Sequence, residues 1–162
     1  MHPCARCATM QRTCCQRAEI LVTKGDVERI SRYVGASDFY SRRAPEDPSY
    51  LEHDPDDPNW LPYTTFPDGT RNMLLRRADG CTFLGPAGCV LPENVRPLVC
   101  RLYPWEFTEA GILAEDAGYC PVETLAGPNG SMLTVLNMTR PDAEQWRADL
   151  YNELRANPAS KA

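Results

Sequence analysis

Eight cysteines constrain this chain more than any other feature of its sequence. Half of them fall in the opening segment CARCATMQRTCC, at Cys4, Cys7, Cys14 and Cys15. The others follow in GCTFLGPAGCVLPENVRPLVC and GYCP, at Cys81, Cys89, Cys100 and Cys120. Small apolar residues would fill core space without the reactivity of a thiol, so this density indicates a use for the sulfur atoms. We therefore predict that the intervening chain brings the two groups together.

The cellular compartment decides how these cysteines are interpreted. The first ten residues contain two cysteines and no apolar run, so we expect no signal peptide and a cytoplasmic location. In a reducing compartment an even number of cysteines favours metal binding or redox chemistry over structural disulfides. Metal ions are therefore the predicted partners of the chain.

Charge and hydropathy exclude two other classes of partner. The formal net charge is -5 and no cluster of Lys or Arg is present, which argues against nucleic acid and against an anionic membrane surface. No apolar run approaches the roughly 18 residues of a membrane span. Four thiolates around a divalent ion would carry a local charge of about -2, which nearby arginines could offset: Arg6, Arg12, Arg17 and Arg101. The sequence indicates no particular protein partner.

The predicted fold class is α+β, a small irregular domain of short helices and hairpins organised around a cysteine metal site. A length of 162 residues suits one domain, placed at 1–162, and 15 prolines indicate many irregular connections. Within it we expect a cysteine cluster region over 4–121 and carboxyl-terminal helices over 131–156.

Local patterns predict the elements of the first half. Ile20 to Val22 is an apolar run suited to a strand, and Thr23 or Asp26 can cap a helix that ends at Gly35. The spacing of Val27, Ile30 and Val34 predicts one buried face. Another helical turn is expected from Ser37, through Phe39 and Tyr40.

The second half is predicted to alternate hairpins and helices. Residues 72–77 and 81–84 form a hairpin across Asp79 and Gly80, and a helix spans 92–102 with Cys100 in its last turn. A second hairpin joins 105–108 to 111–114. Ser131 caps a helix through Met138, and Pro141 begins a final helix that ends near Ala156.

Residues 44–67 are rich in proline and acidic side chains and predict an acidic surface loop without a helix or central strand. The DPDDPN segment lacks the glycine and terminal glutamate of an EF-hand, which disfavours calcium. His53 in this loop is weighed as a ninth metal ligand, with an exposed loop residue as the favoured interpretation.

The spacing of the cysteines predicts more than one metal position. A CxxC motif lets Cys4 and Cys7 meet one ion from a single turn, as in zinc sites and iron-sulfur proteins. Neighbouring side chains point in different directions, so Cys14 and Cys15 are expected to serve different ions or different metals of a cluster. Two tetrahedral zinc sites and an iron-sulfur cluster with a second metal both remain compatible with eight thiols.

These motifs resemble those of the YkgJ-type cysteine cluster proteins, the CxxCxxxxCC or zinc- or iron-chelating family. The resemblance covers roughly residues 4–121 and includes CARC, the CC pair, VTKGDVERI, GCTFL, RPLVCRLYP and the later CP. It implies that all eight cysteines form the chelating set, with a second signature at Arg96, Pro97, Arg101, Tyr103 and Pro104. The chain departs from the family pattern in having six residues between Cys7 and Cys14, and Val122 after Cys120-Pro121.

Three functions follow from the sequence. The first is a metal-binding protein, with zinc or an iron-sulfur cluster, whose role is structural or lies in metal or cluster handling. The alternative is a metal-dependent enzyme with redox or methyl-transfer chemistry, for which Asp26, Arg96, Arg101 and Tyr103 are weak candidates. A thiol-disulfide protein ranks lowest, because CARC does not lie between a strand and a helix as a thioredoxin-type motif does.

Overall fold

The computed structural model describes residues 3–161. Within that range the chain forms short helices and hairpins, so the α+β class is confirmed. The α-helices are α1 (Pro3–Ala8), α2 (Cys14–Arg17), α3 (Lys24–Val34), α4 (Trp60–Thr64), α5 (Leu98–Leu102), α6 (Val122–Ala126), α7 (Met132–Leu136) and α8 (Arg140–Ala156). Two 3-10 turns lie at Pro48–Leu51 and Ala159–Lys161.

The strands form four antiparallel pairs within the described residues. The pairs are β1 (Tyr40–Arg43) with β2 (Arg71–Leu74), β3 (Arg76–Arg77) with β4 (Gly80–Cys81), β5 (Leu84–Gly85) with β6 (Gly88–Cys89), and β7 (Glu106–Thr108) with β8 (Gly111–Ala114). Leu21 adds an isolated antiparallel bridge to Met73, so the predicted strand at 20–22 is reduced to this contact.

Helix α3 follows its predicted boundaries. The Thr23 side chain accepts a hydrogen bond from the Asp26 amide, and Gly35 ends the helix in the left-handed conformation with φ of 73°. Ile30 is fully buried, as its spacing predicts. Val34 is 39% exposed, so its assignment to the buried face was wrong: the last turn extends beyond the core.

The helical turn predicted from Ser37 is reduced to a turn at Asp38 and Phe39. Tyr40 to Arg43 is instead strand β1, which pairs in register with β2 from Tyr40↔Leu74 to Arg43↔Arg71. Phe39 and Leu74 enter the same apolar cluster. Long-range pairing and burial of these side chains outweigh the local helical signal.

Residues 44–67 are only partly the predicted loop. Helix α4 forms although it contains Pro62, because Pro62 lies in the first turn, where backbone N-H groups need no intrahelical acceptor. Asp57 is 6% exposed and bonds to the Tyr151 hydroxyl, so its assignment to the surface was also wrong. His53 is exposed.

The two predicted hairpins form, but their strands begin and end at residues other than those predicted. The strand predicted over 72–77 is broken at Leu75, because its first part pairs with β1 and its second part with β4. The turn of the β7–β8 hairpin lies at Glu109–Ala110, as expected. The helix predicted over 92–102 is limited to α5, which begins only after Pro97. The residue before a proline, here Arg96, rarely adopts helical backbone angles.

Helix α8 closes the fold as predicted. Thr139 caps it by accepting from the Asp142 amide, and Pro141 lies in its first turn. Its apolar stripe of Ala143, Leu150 and Leu154 joins an apolar cluster with Leu98 and Leu102 of α5.

None of the helices within residues 3–161 has the length and apolar composition needed to cross a membrane.

Candidate metal centre

A single cavity of about 550 Å³ is lined by all eight cysteines. These residues come from α1, α2, two hairpins, α5 and the segment before α6. Cys7 and Cys81 are buried, Cys4 is exposed, and the other five are partly buried. The fold therefore brings together the two groups of thiols that are separated in the sequence.

Helix α1 carries Cys4 and Cys7 on neighbouring turns of one face, because residues three apart on a helix lie one above the other. Cys7 is the buried residue of this helix and packs in a small apolar cluster with Leu125 and Met132. Packing of α1 against α6 thus holds both thiols at the cavity.

Helix α2 begins at Cys14, and Gln16 stabilises its start by accepting a hydrogen bond from the Thr13 amide at 2.8 Å. Arg76 donates to the Gln16 carbonyl at 2.6 Å, which ties α2 to β3. Gly80 lies so close that a Cβ atom there would stand 2.8 Å from the Cys15 carbonyl oxygen. Only glycine permits this approach of β4 to α2. The sequence pattern predicted Gly80 as a turn residue and gave no sign of this contact.

The two short hairpins place Cys81 and Cys89. Cys81 pairs with Arg76, and its Sγ accepts a hydrogen bond from the Phe83 amide at 3.4 Å. Cys89 pairs with Leu84 across the next turn. Both thiols therefore sit at hairpin positions whose register fixes the direction of the side chain.

The last two thiols come from α5 and from the segment that precedes α6. Cys100 lies in the middle of α5, the short helix that begins directly after Pro97. Cys120 follows Tyr119, whose carbonyl accepts from the Gln11 side chain at 3.2 Å and from Arg17 at 3.3 Å. These two bonds tie the Cys120 segment to the amino-terminal strip, residues 3–19, a role of Tyr119 that no motif in the sequence indicates.

Burial is the main reason that six of the eight thiols are hard to ionise. It raises the pKa of Cys15 and of Cys120 to about 12, with further contributions from neighbouring thiols. Burial, again reinforced by neighbouring thiols, also raises the pKa of Cys14, Cys81 and Cys100. It raises the pKa of Cys4 as well, because Cys4 lines the cavity although the residue as a whole is exposed. A bound cation would counter both effects, because it stabilises the thiolate against desolvation and repulsion.

Nearby arginines partly offset this rise in pKa, although not every arginine expected from the sequence does so. Burial is the largest effect on the pKa of Cys4, Cys14 and Cys81 and raises it. Against burial, Arg96 lowers the pKa of Cys4, Arg17 lowers that of Cys14, and Arg76 and Arg77 lower that of Cys81. Arg101 donates to the backbone carbonyls of Arg96 and Asn94, and Arg96 donates to that of Leu91. These bonds brace the 91–101 segment behind the cavity.

The sulfur atoms surround the cavity without converging on a point. In the part of the chain that the structure describes, no three or more histidine, cysteine, aspartate or glutamate side chains are placed to hold one metal ion. No two of the eight cysteines form a disulfide. The donor chemistry fits zinc or iron, which take thiolate ligands, and coordination would require the sulfur atoms to come closer together than they are here.

No protein-family model, curated protein or solved structure matches this chain. The resemblance to the zinc- or iron-chelating family therefore remains a prediction from the motifs quoted above.

Proposed function

We propose that this chain binds metal through the thiolates of its eight cysteines, as zinc ions or an iron-sulfur cluster. The role of the site is structural or lies in the handling of metal or clusters. The observation that supports this most strongly is that all eight line one cavity, although they come from separate elements. Cysteines kept only for packing would have no reason to collect there.

The energetics of the thiols favour the same conclusion. Protonated thiols buried beside one another gain little from hydrogen bonding, because each is a weak donor. Coordination replaces these protons with a cation, whose attraction for each thiolate outweighs the repulsion among the thiolates. For a structural zinc the binding free energy, on the order of 10 kcal/mol, would appear largely as folding stability.

The decisive experiment is elemental analysis together with a visible spectrum of protein purified without oxygen. Iron with inorganic sulfide and a brown colour would establish a cluster, and a colourless protein with stoichiometric zinc would establish zinc sites. A folded protein that binds neither metal would contradict the proposal.

A pair of variants tests the ligand set itself. We expect Cys89→Ser to lower the metal content and the thermal stability together, because serine is a poor ligand for these metals. His53→Ala should change neither quantity, since His53 is exposed in the 44–67 segment and does not line the cavity. Loss of metal in the histidine variant would show that the ligand set is wrong.

The size of the cavity supports the alternative, a metal-dependent enzyme with redox or methyl-transfer chemistry. A volume of about 550 Å³ falls in the range of small-molecule sites, and Tyr103 and Tyr119 line it beside the thiols. Anaerobic titration with dithionite tests the redox form of this function. A metal centre that takes up electrons reversibly would support it, and a centre that does not change would disfavour it.

A further inference from the structure

We propose that the cavity contains two separate four-thiolate sites rather than one eight-thiol centre. The amino-terminal set is Cys4, Cys7, Cys14 and Cys120, and the hairpin set is Cys15, Cys81, Cys89 and Cys100. This division rests on the proposed function and specifies which thiols would share each metal.

The hairpin set is joined by packing. Cys15, Cys81, Cys89 and Cys100 all belong to one apolar cluster, whose buried members include Ile20, Leu74 and Leu91. The close approach of Gly80 to the Cys15 carbonyl brings β4 against α2, and Cys81 is the next residue. The segments that carry these four thiols therefore pack together on one side of the cavity, and metal binding would draw their sulfur atoms toward a common point.

The amino-terminal set is held by a different cluster. Cys7 and Cys120 pack together with Leu125 and Met132, where α1 meets α6. Cys4 lies on the same face of α1 as Cys7, one turn earlier. The bonds from Gln11 and Arg17 to the Tyr119 carbonyl draw the start of α2, with Cys14, toward the segment that carries Cys120.

Helix α2 separates the two sets. Cys14 and Cys15 are consecutive residues of this helix, so their side chains diverge by about 100° around its axis. A single tetrahedral ion cannot easily accept both. Cys15 packs in the apolar cluster of the hairpin set, whereas Cys14 is not among the members of that cluster. Each set supplies the four ligands of a tetrahedral thiolate site.

Paired serine substitutions test the division. The metal-free protein is reconstituted with zinc, and zinc is counted by elemental analysis. We expect two zinc ions in the unsubstituted chain and one each in Cys7→Ser/Cys120→Ser and in Cys81→Ser/Cys100→Ser. The cross-set variant Cys7→Ser/Cys100→Ser, which also loses two thiols, should retain no tightly bound zinc.

The outcomes separate failure of the division from failure of metal binding. If the within-set and cross-set variants lose zinc equally, the centre is shared and the division is wrong, while metal binding stands. If the unsubstituted chain binds neither zinc nor an iron-sulfur cluster, the proposed function itself fails.

A measurement on the unsubstituted chain covers the case in which variants do not fold. In protein loaded with cadmium-113, we expect two cadmium resonances, each coupled to the β-protons of the four cysteines of one set. A resonance coupled to cysteines of both sets would overturn the division.

Discussion

At the scale of single residues, the buried carboxylate of Glu19 connects the amino-terminal strip to the corner that follows β1. Its oxygens accept hydrogen bonds from the amides of Glu46 and Asp47, at 2.9 and 3.1 Å, and from Arg43 at 2.8 Å. Burial alone would raise the pKa of Glu19, but these bonds lower it overall. The ionised form therefore stabilises the fold above the ordinary pKa of 4.5.

Substitution of Glu19 tests this connection. We expect Glu19→Gln to lower the free energy of unfolding by about 2 kcal/mol at neutral pH, because the amide can no longer satisfy three donors as an anion does. The difference should shrink as pH falls below 4.5, where the carboxylate of the unfolded chain becomes protonated, and it should be lost below the lowered pKa of the folded state. Urea unfolding at pH 7 and at acidic pH measures it, with the exposed Glu52→Gln as control. Equal differences at both pH values would contradict the role of the charge.

The hydroxyl of Tyr151 donates to Asp57 inside the fold, where Tyr151 has no exposed surface. We expect Tyr151→Phe to lower the free energy of unfolding by about 2 kcal/mol, because Asp57 stays buried after losing this donor. Chemical denaturation would measure the change. Tyr33→Phe, at a residue that is 57% exposed, serves as the matched control and should have little effect. An unchanged stability in the Tyr151 variant would mean that water replaces the lost bond.

At the scale of elements, the end of α3 depends on backbone conformation alone. Gly35 has φ of 73°, and no atom lies within 4 Å of the position that a Cβ would take. We expect Gly35→Ala to destabilise the protein by about 1 kcal/mol, because an L-residue resists this conformation. Gly111→Ala is the control, since Gly111 has equally open surroundings and lacks a positive φ. Thermal unfolding should distinguish the two variants, and equal melting temperatures would refute the argument.

Elements with strong end signals were predictable from the sequence. Thr23 and Gly35 bound α3, and Ser131 and Pro141 mark the starts of the last two helices closely. Strand β1 was missed because its partner β2 lies about thirty residues further along, and no local signal reveals that pairing. Helix α4 was missed because Pro62 was treated as a breaker without regard to its place in the first turn.

The candidate site was predictable in its membership and not in its arrangement. Eight thiols in two groups indicate a common site, and all eight line one cavity. Which thiols lie together depends on contacts such as those of Gly80 with Cys15 and of Gln11 with Tyr119. Such contacts join residues far apart in the chain and leave no pattern in the sequence.

At the scale of the whole molecule, the amino-terminal strip is attached more weakly than the carboxyl-terminal half. Cys7 is the buried residue of α1, and α2 has none, whereas α8 buries Leu150, Tyr151 and Leu154. Apolar burial therefore holds α8 and contributes little to holding α1 and α2.

This difference predicts how the protein responds to removal of metal. After chelation, we expect amide hydrogen exchange to increase most in residues 3–17 and 118–126, because metal would supply most of their attachment. The centre of α8 should remain protected, and mass spectrometry of peptic fragments would measure both. A uniform increase across all regions would contradict the prediction and indicate that the metal supports the entire fold.

The adjacency of Cys14 and Cys15 limits how this architecture can diverge. The side chains of residues 8–10 are exposed, so insertions or deletions there, before Gln11 and its bond to the Tyr119 carbonyl, can lengthen or shorten the approach to α2 at little cost. A residue inserted between the two cysteines would rotate one of them away from its set. Variation in length among descendants of this chain should therefore accumulate before the pair and never within it.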